Sequence, residues 1–242
     1  MLKQGKIQLQ KSMIKLVSVA DVISLTNAIF GFLAILFLVS EIVTDEDVRL
    51  RISFSFILLA LLADGLDGIV ARKTRKSDIG EHLESIADLT SLIIAPAIFI
   101  YIVYQDFVLS SIYNHIFLLM AIILYLLFGS IRLASFHIMK KRKFFIGLPA
   151  SASTIILLVL AYFEVNYIII LPSIILISIA MSSNIPFPKP TFKINTIAAI
   201  LIILTIIVGK IFYGFAPILL IISILIYSIT GPIYRKISTK KL

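Results

Sequence analysis

The sequence predicts an all-α fold: a polytopic membrane helix bundle of about eight transmembrane helices with both termini cytoplasmic. Three observations carry this. Apolar residues make up 60% of the 242-residue chain and charged residues 14%, against ~45–50% and ~25% in soluble domains. The apolar excess recurs along the whole chain in stretches near the ~20 residues that cross a bilayer. The basic residues gather in alternate loops. A soluble enzyme, a disordered tail and a nucleic-acid-binding domain are thereby excluded, and the net charge of +9 reads first as an orientation signal. The chain has no cysteine, hence no disulfide framework.

Residues 1–20 form a basic cytoplasmic segment, in which Lys3, Lys6, Lys11 and Lys15 surround Ile7, Leu9, Met13 and Leu16. Such a pattern suits an interfacial amphipathic helix or a solvated leader. Met1 to Val17 lacks the apolar core and small-residue site of a cleavable signal, so none is expected. The spans then fall at roughly 22–40, 52–71, 80–105, 108–137, 147–163, 166–182, 195–212 and 215–234. With a cytoplasmic N-terminus, 18 of the 22 basic residues lie in cytoplasmic segments. Arg49, Arg51 and Lys210 fall outside, with Glu41, Asp45, Glu46, Asp47 and Glu164, while Arg132 stands near a span end.

Spans two and three are unusual because carboxylates sit within them. Each ionisable residue costs ~2.5–3.5 kcal/mol on insertion scales, so a group of them requires compensation. Asp64 and Asp67 are three apart and Glu84 and Asp88 four apart, spacings that put each pair on one helix face. If the faces meet, four carboxylates converge, and hard divalent cations such as Mg²⁺ or Mn²⁺ are the natural counter-charge. Gly65, Gly68 and Gly80 keep the surroundings low enough for a bulky ligand. Arg72 follows Gly68 by about one turn, placed for a phosphate. Acids for metal, a small-residue cleft and an arginine for phosphate suggest metal-assisted phosphoryl transfer at the inner surface.

The run Asp64-x-x-Asp67-Gly68-x-x-Ala71-Arg72, seven residues, then Gly80-x-x-x-Glu84-x-x-x-Asp88 closely resembles the signature of the CDP-alcohol phosphatidyltransferases. The sequence departs from the usual pattern by one residue fewer in the gap and by Glu84 where an aspartate is usual. Downstream, Arg132-Leu133-Ala134-Ser135-Phe136, Gly147-Leu148-Pro149 and Ile185-Pro186-Phe187-Pro188 resemble the integral-membrane phosphatidylserine and archaetidylserine synthases. Thr26-Asn27 through Gly31 is similar to the family's opening block. The resemblance covers about residues 20 to 195, so 21–194 is expected to be a catalytic bundle of about six spans. Residues 195–242 would add two helices and a basic tail.

The resemblance implies two divalent metals, Mg²⁺ or Mn²⁺, a CDP-linked lipid donor, L-serine as acceptor and CMP as product, at the cytoplasmic face of the cell membrane. Asp64 would bridge both metals, Asp67 would bind one, and Glu84 would take the bridging place of the aspartate it replaces. Asp88 would bind the second metal and act as general base. Gly68, Ala71 and Arg72 would contact the CDP moiety, with Asn27, Asp64 and Ser77 beside them. Membrane lipids would surround the bundle, no nucleic acid is expected, and a homodimer is a further implication.

Arg132 at a buried position needs an anionic partner, drawn from the acceptor's carboxylate, a donor phosphate or a site carboxylate. Ser135 and His137 lie near it, and Asn184 and Lys189 fall on a segment that Pro186, Pro188 and Pro190 keep from being helical. All five are candidates for the acceptor or its phosphate. Acceptors such as glycerol 3-phosphate or inositol phosphate would want more basic contacts than Arg132 supplies. A divalent-cation transporter would place ligands near the bilayer midplane and show repeated halves, whereas these carboxylates cluster at one end.

Overall fold

The computed structural model describes residues 16–40, 42–71, 77–139 and 144–238, without the side chains of 71, 137–139 and 233–238. The basic segment 1–15, the loop from Arg72 to Lys76 and the run Lys140 to Lys143 therefore lie outside the described residues. Among the described residues ten helices follow in order: α1 (Val19–Val39), α2 (Glu46–Ala71), α3 (Gly80–Asp88), α4 (Ala95–Val103), α5 (Gln105–Leu109), α6 (Ile112–Met139), α7 (Ala150–Tyr162), α8 (Tyr167–Ser182), α9 (Phe192–Val208) and α10 (Ile211–Ser238). A π-helical turn, Leu89–Ile94, joins α3 to α4 without a break. Among the described residues five segments are long and apolar enough to cross a membrane: α1, 46–70 in α2, 80–103 through the π turn, 112–136 in α6 and 211–232 in α10. Helices α7, α8 and α9 are apolar but shorter, at 13, 16 and 17 residues. The chain is a multi-pass helical membrane protein; five of the eight expected spans fall on segments long enough to cross, and the other three fall on the shorter apolar helices α7, α8 and α9.

The faces of α1 show why the bundle holds. Ala20, Asp21, Ser24, Asn27, Gly31, Ala34 and Leu38 are buried, while Val22, Leu25, Ile29, Phe32 and Leu36 are exposed. Between lipid-solvated helices there is little hydrophobic drive, so close packing of small and polar residues does the joining and large apolar side chains turn outward to lipid. Ser18 and Asp21 start the helix with a reciprocal capping box. Helix α7 is the centre: all but Ser151 and Leu160 of its residues are buried, and Tyr162 stacks on Phe54 of α2 with ring centroids 3.9 Å apart.

Several boundaries differ from the sequence-based ones. Helix α2 starts at Glu46 rather than near 52, because an acidic first turn of Glu46 and Asp47 suits a helix N-terminus. Span three is not one regular helix, and it stops at Tyr104, after which α5 is a separate short turn. Helix α10 is kinked near its start by left-handed φ at Phe212, Tyr213 and Gly214. The all-α expectation omits one feature: β1 (Phe144–Ile146) and β2 (Pro186–Pro188) pair antiparallel in a two-stranded ribbon. The prolines keep 186–188 extended, as the sequence implied.

At the end opposite the carboxylate motif, Lys210 pairs with Glu164 at 3.0 Å, so two residues that the charge sorting put on one side do share an end. Arg51 donates from Nη2 to the Ile207 carbonyl there. At the motif end, Gly147 has φ +75°, and a Cβ added to it would land on the Met181 carbonyl oxygen. Gly147→Ala is expected to destabilise the protein by about 2–4 kcal/mol, the sum of left-handed strain and overpacking. A lowered thermal unfolding midpoint in detergent would register it, and an unchanged midpoint would contradict this packing.

Candidate active site

The motif spacing does what helical geometry requires. Asp64 and Asp67 lie in the last two turns of α2, and Glu84 and Asp88 lie along α3. The two faces meet: the Asp64 and Asp88 carboxyls approach each other, and Asp67 and Glu84 lie within electrostatic reach of both. Asp67 and Asp88 are buried, at 4% and 9% exposure, whereas Glu84 is half-buried. Gly65 and Gly68 stand beside them with nothing within 4 Å of where a Cβ would be, leaving the backbone of α2 open to a large ligand.

The π turn begins immediately after Asp88. A π turn frees a carbonyl from the regular ladder, and the Leu92 carbonyl is taken up by Tyr125 Oη of α6 at 2.8 Å and Thr154 Oγ1 of α7 at 2.6 Å. These bonds pin the segment that follows α3 to the centre of the bundle.

Helix α1 closes the cluster from the third side. Asn27, fully buried, donates from Nδ2 to Asp88 Oδ1 at 2.9 Å. Ser24 donates from Oγ to Asp67 Oδ2 at 2.7 Å. Gly31 permits this approach, since a Cβ there would meet Ser91 Cα of the π turn at 2.6 Å. Asn27 and Gly31 fall in the opening block that the sequence resemblance covers, whereas Asp21 and Ser24 lie outside it. Their signal was available: polar or small residues at 21, 24, 27 and 31 form one stripe of an otherwise apolar helix.

The donor set fits divalent cations. Two carboxyl groups brought this close require a proton or a cation between them, and neither Asp64 nor Asp88 has an ion pair among the described residues. The buried Asn27 Oδ1, a hard oxygen acceptor beside this cluster, has no hydrogen-bond partner among the described residues. Among the described residues no three of these groups form a finished cation cage. The carboxylates form a looser cluster of oxygen donors, of the kind Mg²⁺ and Mn²⁺ take.

Of the expected nucleotide contacts, Gly68 is open, and Ser77 is engaged locally, donating to the Leu16 carbonyl at 2.7 Å and accepting from Ile79 N–H at 3.2 Å. The Ala71 side chain and Arg72 lie outside the described residues. Arg132 forms a second polar centre, separate from the carboxylates. It is 7% exposed, its Nε donates to the Leu148 carbonyl over a long 3.4 Å, its guanidinium lies 5.5 Å from the Phe136 ring centroid, and the titratable neighbour facing it is Tyr227 of α10. A site carboxylate is thus not its partner. Tyr227, which the sequence reading passed over, donates to the Pro188 carbonyl at 2.9 Å and packs on Phe187. Lys189 places Nζ 5.5 Å from the Phe145 ring centroid, Ser135 donates to the Arg132 carbonyl, and Asn184 is exposed beside β2. The His137 side chain lies outside the described residues.

A family model described as CDP-alcohol phosphatidyltransferase matches residues 17–229. The chain is 38% identical over 181 residues to a CDP-diacylglycerol–serine O-phosphatidyltransferase of Methanocaldococcus jannaschii, covering 74% of this chain and 78% of that one. It is 32% identical over 187 residues to an archaetidylserine synthase of Methanothermobacter thermautotrophicus, covering 74% and 73%. A CDP-diacylglycerol–serine O-phosphatidyltransferase of Bacillus subtilis is 31% identical over 169 residues, covering 69% and 87%.

Proposed function

The chain belongs to the CDP-alcohol phosphatidyltransferase family, and on that premise we propose that it transfers the phosphatidyl or archaetidyl group of a CDP-linked lipid to the hydroxyl of L-serine, releasing CMP. The observation that carries the reading is the convergence of Asp64, Asp67, Glu84 and Asp88 from α2 and α3 beside an open glycine surface. The names of the relatives support serine as acceptor.

In this reading Asp64, Asp67, Glu84 and Asp88 hold two divalent ions, Mg²⁺ or Mn²⁺. Bound there, the ions would supply positive charge for the phosphates and for the developing charge on CMP. Gly68, Ala71 and Arg72, with Asn27 and Ser77, receive the CDP moiety, and the lipid chains remain between helices. Asp88 accepts the proton of the serine hydroxyl as its oxygen bonds to the lipid-linked phosphorus. The bond from that phosphorus to the bridging oxygen breaks, and the electron pair leaves with CMP. Asn27 fixes one oxygen of Asp88 during this step.

Residues 21–194 supply this machinery, and 195–242 support it through α10. The positive-inside bias supports placing the site at the cytoplasmic face of the cell membrane with both termini cytoplasmic, where serine and CMP exchange with water.

Arg132, without a carboxylate partner among the described residues, is the proposed seat for the serine carboxylate, with Ser135, His137, Asn184 and Lys189 as further candidates for the acceptor side. Charged hydrogen bonds contribute ~1.5–3 kcal/mol, so Arg132→Gln is expected to raise KM for serine by roughly 10- to 100-fold with little change in KM for the CDP-lipid. Equal effects on both would remove Arg132 from the acceptor site. The function itself is tested by incubating the purified protein with a CDP-lipid, Mn²⁺ or Mg²⁺ and serine, glycerol 3-phosphate or inositol phosphate in turn. CMP release that depends on serine is expected. Release without serine, or selective use of a phosphorylated acceptor, would overturn the assignment.

A further inference from the structure

We infer that the buried stripe of α1 is a positioning rail for the acidic site, and that the Ser24 hydroxyl sets the orientation of Asp67 toward the divalent ions. The inference rests on the metal-dependent reading above and extends it to residues outside the motif. Four stations on α1 engage α2, α3 and the π turn. Asp21 stands against the first residue of α3, with Oδ1 2.7 Å from where a Cβ on Gly80 would lie, and its other oxygen accepts from the Ser18 N–H at 2.7 Å. Ser24 holds Asp67 of α2 at 2.7 Å. Asn27 holds Asp88 of α3 at 2.9 Å. One turn further, Gly31 abuts Ser91.

The steps of three, three and four residues follow the 3.6-residue period, so a single rigid helix fixes the register of α2 and α3 against each other. Asp21, Ser24 and Asn27 are buried, at 3%, 4% and 0% exposure, where a polar side chain is costly without a partner. Ser24 has a second acceptor, the Ala20 carbonyl, at 3.4 Å. The hydroxyl has one proton, and the 2.7 Å carboxylate bond is the short, charge-assisted one. The serine therefore serves Asp67 rather than its own helix. A carboxylate with one oxygen held by a hydroxyl presents the other in a fixed direction, and partners that orient metal ligands in this way typically govern affinity by ~10- to 100-fold.

The test uses the full-length protein purified in detergent, with Mn²⁺ binding followed by electron paramagnetic resonance in the absence of substrates. Ser24→Ala is expected to weaken Mn²⁺ binding by about 10- to 100-fold, to raise the Mn²⁺ concentration for half-maximal turnover in parallel, and to recover most of kcat at saturating Mn²⁺. Ser24→Thr, which keeps the hydroxyl, is expected to bind within about threefold of wild type. Unchanged affinity in Ser24→Ala, or equal weakening in both variants, overturns the rail while leaving the metal site standing. A wild-type protein that binds no Mn²⁺ overturns the metal reading itself, and the rail with it.

Discussion

Asp88→Asn is expected to lower turnover by roughly 10³-fold or more at saturating donor, serine and metal, combining loss of a general base with loss of a charged ligand. The substitution preserves shape, and asparagine Oδ1 can still accept from Asn27 Nδ2, which holds Asp88 at 2.9 Å. The unfolding midpoint and binding of the CDP-lipid are therefore expected to stay near wild type. CMP release measured alongside both readouts checks this. Turnover within tenfold of wild type would remove Asp88 from the proton-accepting role. Loss of donor binding would instead show that the residue belongs to the CDP pocket.

Chelation is expected to have an effect of similar size. Four carboxylates brought together on α2 and α3, two of them approaching each other, leave the site acidic when its cations are removed, and a CDP-lipid brings further negative charge to it. Treatment with EDTA should take CMP release to background, and added Mn²⁺ or Mg²⁺ should restore it without refolding. Turnover that survives exhaustive chelation would contradict the reading of these carboxylates as ligands and leave them as polar packing. The combination of reversible metal loss and an unchanged unfolding midpoint distinguishes a catalytic ion from a structural one.

What could be read from the sequence divides along a physical line. Apolar length is a local property, so the helices were visible, and the i, i+3 and i, i+4 carboxylate pairs were visible because they too are local. Their convergence was inferable from cost alone, since isolated charges in lipid-facing spans are expensive. The π turn at Leu89–Ile94 leaves no compositional mark, because Leu, Thr, Ser and Ile serve an α-helix about as well. Its determinants, Tyr125 and Thr154, are distant in the chain. The pairing of Phe145 with Phe187 and the approach of Tyr227 to Arg132 are likewise long-range and absent from any window. Ser24 is the instructive omission. One serine in an apolar helix is unremarkable, and only with Asp21, Asn27 and Gly31 does it form a stripe whose purpose is the neighbouring helix.

Tyr227 also gives the last helix a place in the account. Its hydroxyl holds the Pro188 carbonyl, so α10 steadies the ribbon that leads into Lys189. The acceptor side of the proposed site is thus built from α6, the ribbon and α10, while the acidic side is built from α1, α2 and α3.

The central claim is that the serine hydroxyl attacks the lipid-linked phosphorus at the acidic cluster, and L-serine carrying ¹⁸O in its hydroxyl tests it most directly. Mass spectrometry of the products should find the heavy oxygen in the serine phospholipid and none in CMP. Label in a cytidine-phosphate ester of serine, with release of the lipid phosphate, would place the attack on the nucleotide phosphorus and contradict the account.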